Sequence, residues 1–337
     1  MRIDTGLLSS DLTTVADAAR HAEATGYDGL WTAEAGHDPY LSCAIAATAT
    51  ERVTIGTNIA VAFPRSPLVH AQIAWDLQAA SRGRFILGLG TQVKGHNERR
   101  YSTPWTAPGP RLREMILLIR HIWDVWQNGK RPGFEGKYYQ FSLMTPFFSP
   151  APLEWPNIPI YIAGVNPYVC RVAGELCDGF HIHPFHSMKY IDETVLPNVR
   201  AGLAKSKRQR SDVALATTAF VITGKDRDEI ERAKGPVRQQ ISFYASTRTY
   251  IGVLEAHGWG ETCYRLNEKS KKGDWSGMAS LITDEMLEVY AVQGTYDEVP
   301  GLLKKKYGGV LDRLGFYMPI RPGSDDTTWS RLIAACR

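Results

Sequence analysis

A (β/α)8 barrel of the TIM type, carrying insertions, is the fold this sequence predicts, and three observations predict it. Short β-rich runs alternate with segments of helical periodicity along the chain, the pattern of a parallel sheet covered by helices. Two early helix starts, Asp38-Pro39 and Ser66-Pro67, pair a capping side chain with a proline preorganised for the first turn. Eight βα units spread end to end, with the last strand pairing against the first, describe one closed barrel over residues 1–337 better than two open sheets.

Residues 2–8 form the first strand. After Ser10 and Asp11 as candidate caps, Leu12, Val15, Ala16, Ala19 and Ala22 line one helical face, and Gly26 stands where a helix-ending glycine belongs. A strand over 29–33 leads to a helix from Pro39 to about Thr50, and 53–59 is the third strand. The next helix carries Val69, Ile73, Leu77 and Ala80, and 84–89 is a nearly uniform apolar strand, as a buried parallel sheet demands. From Arg111 a wide apolar stripe of Leu112, Met115, Ile116, Ile119, Ile122, Trp123 and Trp126 suits the outside of a barrel. Glycines, prolines and aromatics over 128–159 break the rhythm and read as an inserted hairpin and loop. Strands at 160–163, 179–182 and 213–222 alternate with helices at 167–176 and 188–204. The stretch 226–294 is too long for one crossover and reads as an extra helical insertion. A helix over 295–306 and a strand over 311–317 complete the eighth unit.

The composition, 44% hydrophobic and 22% charged, supports a large core. The formal charge of +4, from 39 basic and 35 acidic residues spread along the chain, is too small for a nucleic-acid partner and slightly favours an anionic small ligand. Five cysteines without ligand spacing read as reduced, buried thiols. The opening residues lack an apolar leader and no run of about 18 apolar residues occurs, so neither export nor a membrane span is expected and the cytoplasm is the default location.

In such a barrel the ligand sits at the carboxyl ends of the strands. That rule selects Glu34 and His37 after strand two, Asn58, Ile59 and Phe63 after strand three, and Thr91 and Gln92 after strand four. It also selects Gly164, Val165 and Asn166 after strand five and His183 and His186 after strand six. The strand–turn–helix at 160–167, with its glycine and proline, presents backbone N–H groups to an anion, although any sound βα turn reads the same way. His37 and Glu34 are the acid–base candidates at the mouth; the plainer readings are a helix cap for His37 and, for Glu34, a carboxylate that holds loop backbone or an arginine. His181, His183 and His186 have no acidic or thiol companion nearby, so no metal site is expected, and His183 and His186 border a substrate pocket or bond rim carbonyls instead. Trp31, Phe63, Trp105 and Phe185 are candidates for an apolar pocket, or for core.

The runs Gly26–Glu34, Ile55–Ile59, Ser81–Thr91 and Pro159–Asp178 together resemble the luciferase-like oxidoreductases, in particular the branch that uses the deazaflavin coenzyme F420. The resemblance covers nearly the whole chain. It implies a third strand ending in a bulge with a non-prolyl cis peptide at Asn58-Ile59 against the tricyclic ring. It also implies Thr91 and Gln92 at the ring edge, and Gly164, Val165 and Asn166 on the coenzyme phosphate. Two departures mark the chain: Glu34 is followed by Ala35, which displaces the nearest imidazole to His37, and Val93 stands where the sugar-phosphate dehydrogenases of the family carry an acid. The resemblance further implies a homodimer. The function expected is hydride transfer between the deazaflavin C5 and a small alcohol, carbonyl or activated alkene. An FMN-dependent monooxygenase and a non-catalytic deazaflavin carrier are the alternatives. A hydrolase with paired carboxylates is disfavoured by Thr91 and Gly224 at two strand ends.

Overall fold

The computed structural model describes residues 1–7, 11–317 and 325–337. Eight parallel strands close a cylinder: β1 (Arg2–Gly6), β2 (Gly29–Thr32), β3 (Thr54–Thr57), β4 (Phe85–Gly90), β5 (Ile160–Gly164), β6 (Gly179–Ile182), β7 (Ala214–Gly224) and β8 (Arg313–Phe316). Closure is direct, since Arg2 to Asp4 pair with Arg313 to Gly315. This is the (β/α)8 barrel expected. Leu8 and Ser10, counted in the first strand and as a cap, lie outside the described residues.

Local chemistry sets the helix ends. Asp11 accepts from the Thr13 N–H, Asp38 from the Tyr40 N–H and Ser66 from the Val69 N–H, while Gly26 ends the first helix with φ +104°. Residues 188–204 are interrupted: a π turn over Ile191–Val195 separates Met188–Tyr190 from Leu196–Lys205. Pro197, which has no N–H for the preceding turn, accounts for the widening. Helix 295–306 begins later than expected, at Val299, and runs to Tyr307.

The stretch 226–294 holds helices Arg227–Ala245, Ile251–Glu255, Gly260–Lys271 and Asp284–Tyr290, but its last residues are not helical. Ala291–Thr295 is a strand laid beside the upper half of β7, from Phe220 opposite Ala291 to Gly224 opposite Thr295. The eleven residues of β7 thus serve two neighbours: the lower half pairs with β6 and β8, the upper half with this added strand. Within 128–159, Phe134–Glu135 and Gln140–Phe141 form an antiparallel hairpin, and Glu114 gathers the Lys137, Tyr138 and Tyr139 N–H groups of its turn.

Two cores result. One lies between strands and helices; the other fills the cylinder, where Trp31, Ile86, Tyr161 and Ala216 from four strands meet. In that interior the Asp4 carboxylate takes Nε and an outer nitrogen of Arg313 at 2.7 and 2.8 Å and the Trp31 indole N–H at 2.9 Å. The Arg313 guanidinium lies 5.4 Å from the Trp31 ring centre, and His181 stands edge-on to Trp31 at 4.7 Å. Trp31 and Phe185, candidates for a ligand pocket, are therefore core, the latter packed on Tyr290 at 4.8 Å. Among the described residues no helix is long and apolar enough to cross a membrane.

Candidate active site at the barrel mouth

The rim over β3 to β6 is continuous. The peptide bond Asn58-Ile59 is cis, and the chain resumes extended pairing at Ala60–Val61 beside Leu89 and Gly90. β3 therefore stops at Thr57 rather than running to residue 59. The bulge is fastened on both sides: the Asn58 N–H donates to the Thr32 carbonyl (2.7 Å) and the Glu34 N–H to the Ile59 carbonyl (3.1 Å). Beneath it the Thr57 hydroxyl donates to the Gly88 carbonyl (2.6 Å) and accepts from the Gly88 N–H (2.9 Å). A side chain at residue 88 would put its Cβ 1.7 Å from the Thr57 carbonyl oxygen, so only glycine allows this approach. The Ile59 side chain covers Gly90 in the same manner.

Register carries the rim onward. Gly90 pairs with Ala163, so Thr91 and Gly164 leave adjacent strands together; Gly164 pairs with Ile182, which sets Val165 beside His183. Thr91 and Gln92 are half-buried, Gln92 with φ +56°, and the Gln92 side chain accepts from the Val93 N–H. Buried Asn97 donates to the Thr91 and Val93 carbonyls, at 2.9 and 3.2 Å, and so fixes the turn. At β5, Asn166 caps helix Pro167–Leu176 through the Val169 N–H, and the Tyr190 hydroxyl donates to the Val165 carbonyl (2.9 Å). A cleft of about 430 Å³ lined by Val93, Gly95, His96, Arg99 and Arg100 opens beyond β4.

The remaining candidates divide. The Glu34 carboxylate accepts from the Val61 N–H (2.7 Å), both outer nitrogens of Arg65 (2.8 and 3.1 Å) and the Tyr101 hydroxyl (3.1 Å). Arg65 also holds Asp38 at 2.5 Å. Four donors on its two oxygens tie Glu34 to the loop after the bulge, as its plainer reading expects. Glu34→Gln is expected to lower the melting temperature, consistent with about 1–3 kcal/mol for disturbed buried hydrogen bonds, and to leave the pH dependence of turnover in place. A lost limb of the pH–rate profile would instead assign proton transfer to Glu34.

His37 is exposed and makes no hydrogen bond or ion pair among the described residues. His183 and His186, three residues apart, face different surroundings. His186 is fully buried, donating from Nδ1 to the His183 carbonyl (2.8 Å) and accepting at Nε2 from the Tyr307 hydroxyl (3.1 Å). Both nitrogens are thus spent on the loop, which removes His186 from the pocket wall. Phe63 is likewise covered, with Arg111 4.4 Å above its ring and Trp105 edge-on at 6.2 Å. His183 stays at the mouth, half-buried between Tyr244 (4.6 Å) and Tyr250 (4.4 Å). Sequence reasoning missed those tyrosines, along with Thr57, Asn97 and Tyr101; the aromatic character of 226–294 was the available signal.

The sequence profile of the luciferase-like monooxygenase family matches residues 2–313. The chain belongs to that family. An uncharacterised protein of Mycobacterium tuberculosis is 45% identical over 309 residues, covering 92% of this chain and 91% of its own. The 5,10-methylenetetrahydromethanopterin reductase of Archaeoglobus fulgidus is 30% identical over 285 residues, covering 82% and 81%. Among solved structures, the coenzyme F420-dependent tetrahydromethanopterin reductase of Methanopyrus kandleri superposes with a TM-score of 0.79 at 20% identity, covering 99% of this chain and 97% of that one. This luciferase-like protein is accordingly an enzyme of the oxidoreductase class, on the barrel those relatives share.

Proposed function

We propose that this luciferase-like oxidoreductase binds coenzyme F420 and transfers a hydride between it and an organic substrate, acting as a cytoplasmic homodimer. The observation that carries the reading is the unbroken rim of uncharged groups from the bulge at Asn58 and Ile59, through Thr91 and Gln92, to the helix start at Asn166. These residues fit a planar heterocycle with an anionic tail. Asn58 and Ile59 would back the ring, Thr91 and Gln92 would meet its polar edge, and Gly164, Val165 and Asn166 would take the phosphate at a helix N-terminus. Two relatives whose names specify F420, a glucose-6-phosphate dehydrogenase of Intrasporangium calvum and a putative oxidoreductase of Mycobacterium tuberculosis, support the same reading.

When bound, the deazaflavin supplies a two-electron hydride centre at C5. The protein's share is orientation and exclusion of water: Thr57 and Glu34 fix the bulge, Asn97 fixes the β4 turn, and the mouth holds the substrate within reach. His37, in contact with solvent, is the imidazole available to exchange the accompanying proton.

Titration of the purified protein with F420 and with FMN, followed by fluorescence, tests this. Saturable F420 binding at least about tenfold tighter than FMN, about 1.4 kcal/mol, is expected. Gly164→Ala, whose new Cβ would meet the Val169 side chain at 2.5 Å, is expected to weaken F420 binding by a similar factor. Tighter binding of FMN would transfer the reading to a flavin monooxygenase, and binding of neither would end it.

A further inference from the structure

Across the mouth from β3 stands a wall that the cofactor reading does not use. His183 follows β6, Tyr317 follows β8, and Tyr244 and Tyr250 descend from the helical segment after β7, so the wall lies over β6–β8, diametrically opposite the bulge in an eight-stranded cylinder. We infer that this wall receives an uncharged oxygen-bearing substrate, a ketone, aldehyde or alcohol, and that His183 sets the preference by donating its Nε2–H to the substrate oxygen.

Three observations lead there. The Phe185 N–H donates to His183 Nδ1 (3.1 Å), which places the proton of the neutral ring on Nε2. Nε2 and the Tyr250 hydroxyl have no hydrogen-bond partner among the described residues, whereas Tyr244 and Tyr317 satisfy each other at 2.7 Å. Among the described residues, none of the four rings is joined to a charged side chain by a hydrogen bond, an ion pair or a cation–π contact. Burial also holds the imidazole pKa down at about 3 and pushes the Tyr250 phenol up to about 12, so both stay neutral donors at physiological pH.

An anion pressed against such a wall would lose hydration without gaining a counter-charge, while a carbonyl oxygen gains one or two neutral hydrogen bonds. On the facing rim Arg65 is engaged by Glu34 and Asp38, Arg100 by the Ala35 carbonyl and the Tyr101 face, and Arg111 by Tyr139 and the Pro104 carbonyl, while Arg99 opens into the cleft beyond β4. In the reducing direction the carbonyl carbon gains a hydride, the C–O π pair passes to oxygen, and the proton comes from solvent by way of His37; an alcohol is oxidised by the reverse. The deazaflavin of the proposed function is the two-electron partner, and the inference rests on that reading for its turnover arm alone.

The test uses the full chain, with and without F420, and a panel of ketones and secondary alcohols, each matched with a carboxylate or phosphate counterpart. The His183 imidazole nitrogen resonances, assigned by comparison with His183→Gln, are followed by NMR in the cofactor-free protein. Neutral members are expected to shift the Nε2 signal and the charged members to leave it, with kcat/KM in the loaded enzyme at least about tenfold higher for the neutral partner. His183→Lys is expected to reverse that order. The inference is overturned if charged members move the resonance as much as neutral ones, if none moves it, or if the phosphate or carboxylate partner turns over as well. Should F420 not bind, the proposed function fails while the resonance shifts still decide the class of ligand.

Discussion

Replacing Asp4 with alanine is expected to lower the unfolding free energy by about 3–5 kcal/mol, the effect typical of leaving one member of a buried ion pair without its partner. Asp4 and Arg313 are each about 2% exposed, and Asp4 holds the guanidinium by a two-point contact while also accepting from the Trp31 indole. The pair joins β1 to β8, the seam at which the cylinder closes, so the loss falls on closure of the barrel. Asp4→Leu combined with Arg313→Met is expected to recover most of the loss, because apolar isosteres remove both desolvation penalties together. Chemical denaturation of the two variants against the parent measures this. A change below about 1 kcal/mol in Asp4→Ala would show that water reaches Arg313.

That pair also marks how far the sequence could be read. The alternation of apolar runs and the Asp38-Pro39 and Ser66-Pro67 starts led to the correct barrel because strand burial and helix capping are local properties. The cis bond at Asn58-Ile59 was anticipated from a motif rather than from periodicity. Side-chain partnership is a different matter, since it is set by residues far apart in the chain. Glu34 meets Arg65 and Tyr101 only after three strands are in register, and nothing in the spacing of His183 and His186 tells that one faces the mouth and the other Tyr307. Tyr244, Tyr250 and Tyr317 reach His183 from more distant segments, and no motif connects them. The short strand Ala291–Thr295 escaped notice because five residues following a helix carry too little periodicity to show against it.

Acid is expected to unfold this enzyme well above the usual carboxylate range. His70, His181 and His186 are each at most 2% exposed, and burial lowers their pKa from 6.5 to about 4, 3 and 4 respectively. His70 is locked as the neutral ring, its Nε2–H donating to the Ala62 carbonyl (2.9 Å) while Nδ1 accepts from the Tyr40 hydroxyl (2.8 Å). His181 sits in the barrel interior near Arg313, whose charge opposes a second cation. The folded pKa values lie below the unfolded ones, so between pH 6.5 and about 4 the unfolded chain binds more protons and stability falls as pH falls. Each site then contributes a slope of up to about 1.4 kcal/mol per pH unit, or about 2 kcal/mol lost by pH 5. Three such sites reach the order of a domain's whole stability, so half-unfolding near pH 5 is the expected outcome. Glu175, held at about 2 chiefly by Arg113, adds to the same trend only below pH 4.5. Denaturant melts at successive pH values between 7.5 and 4.5 read the effect, and His70→Gln should reduce the slope by one proton. A stability that stays level from pH 7 to pH 5 would mean that water solvates these rings and that the interior is less closed than its packing shows.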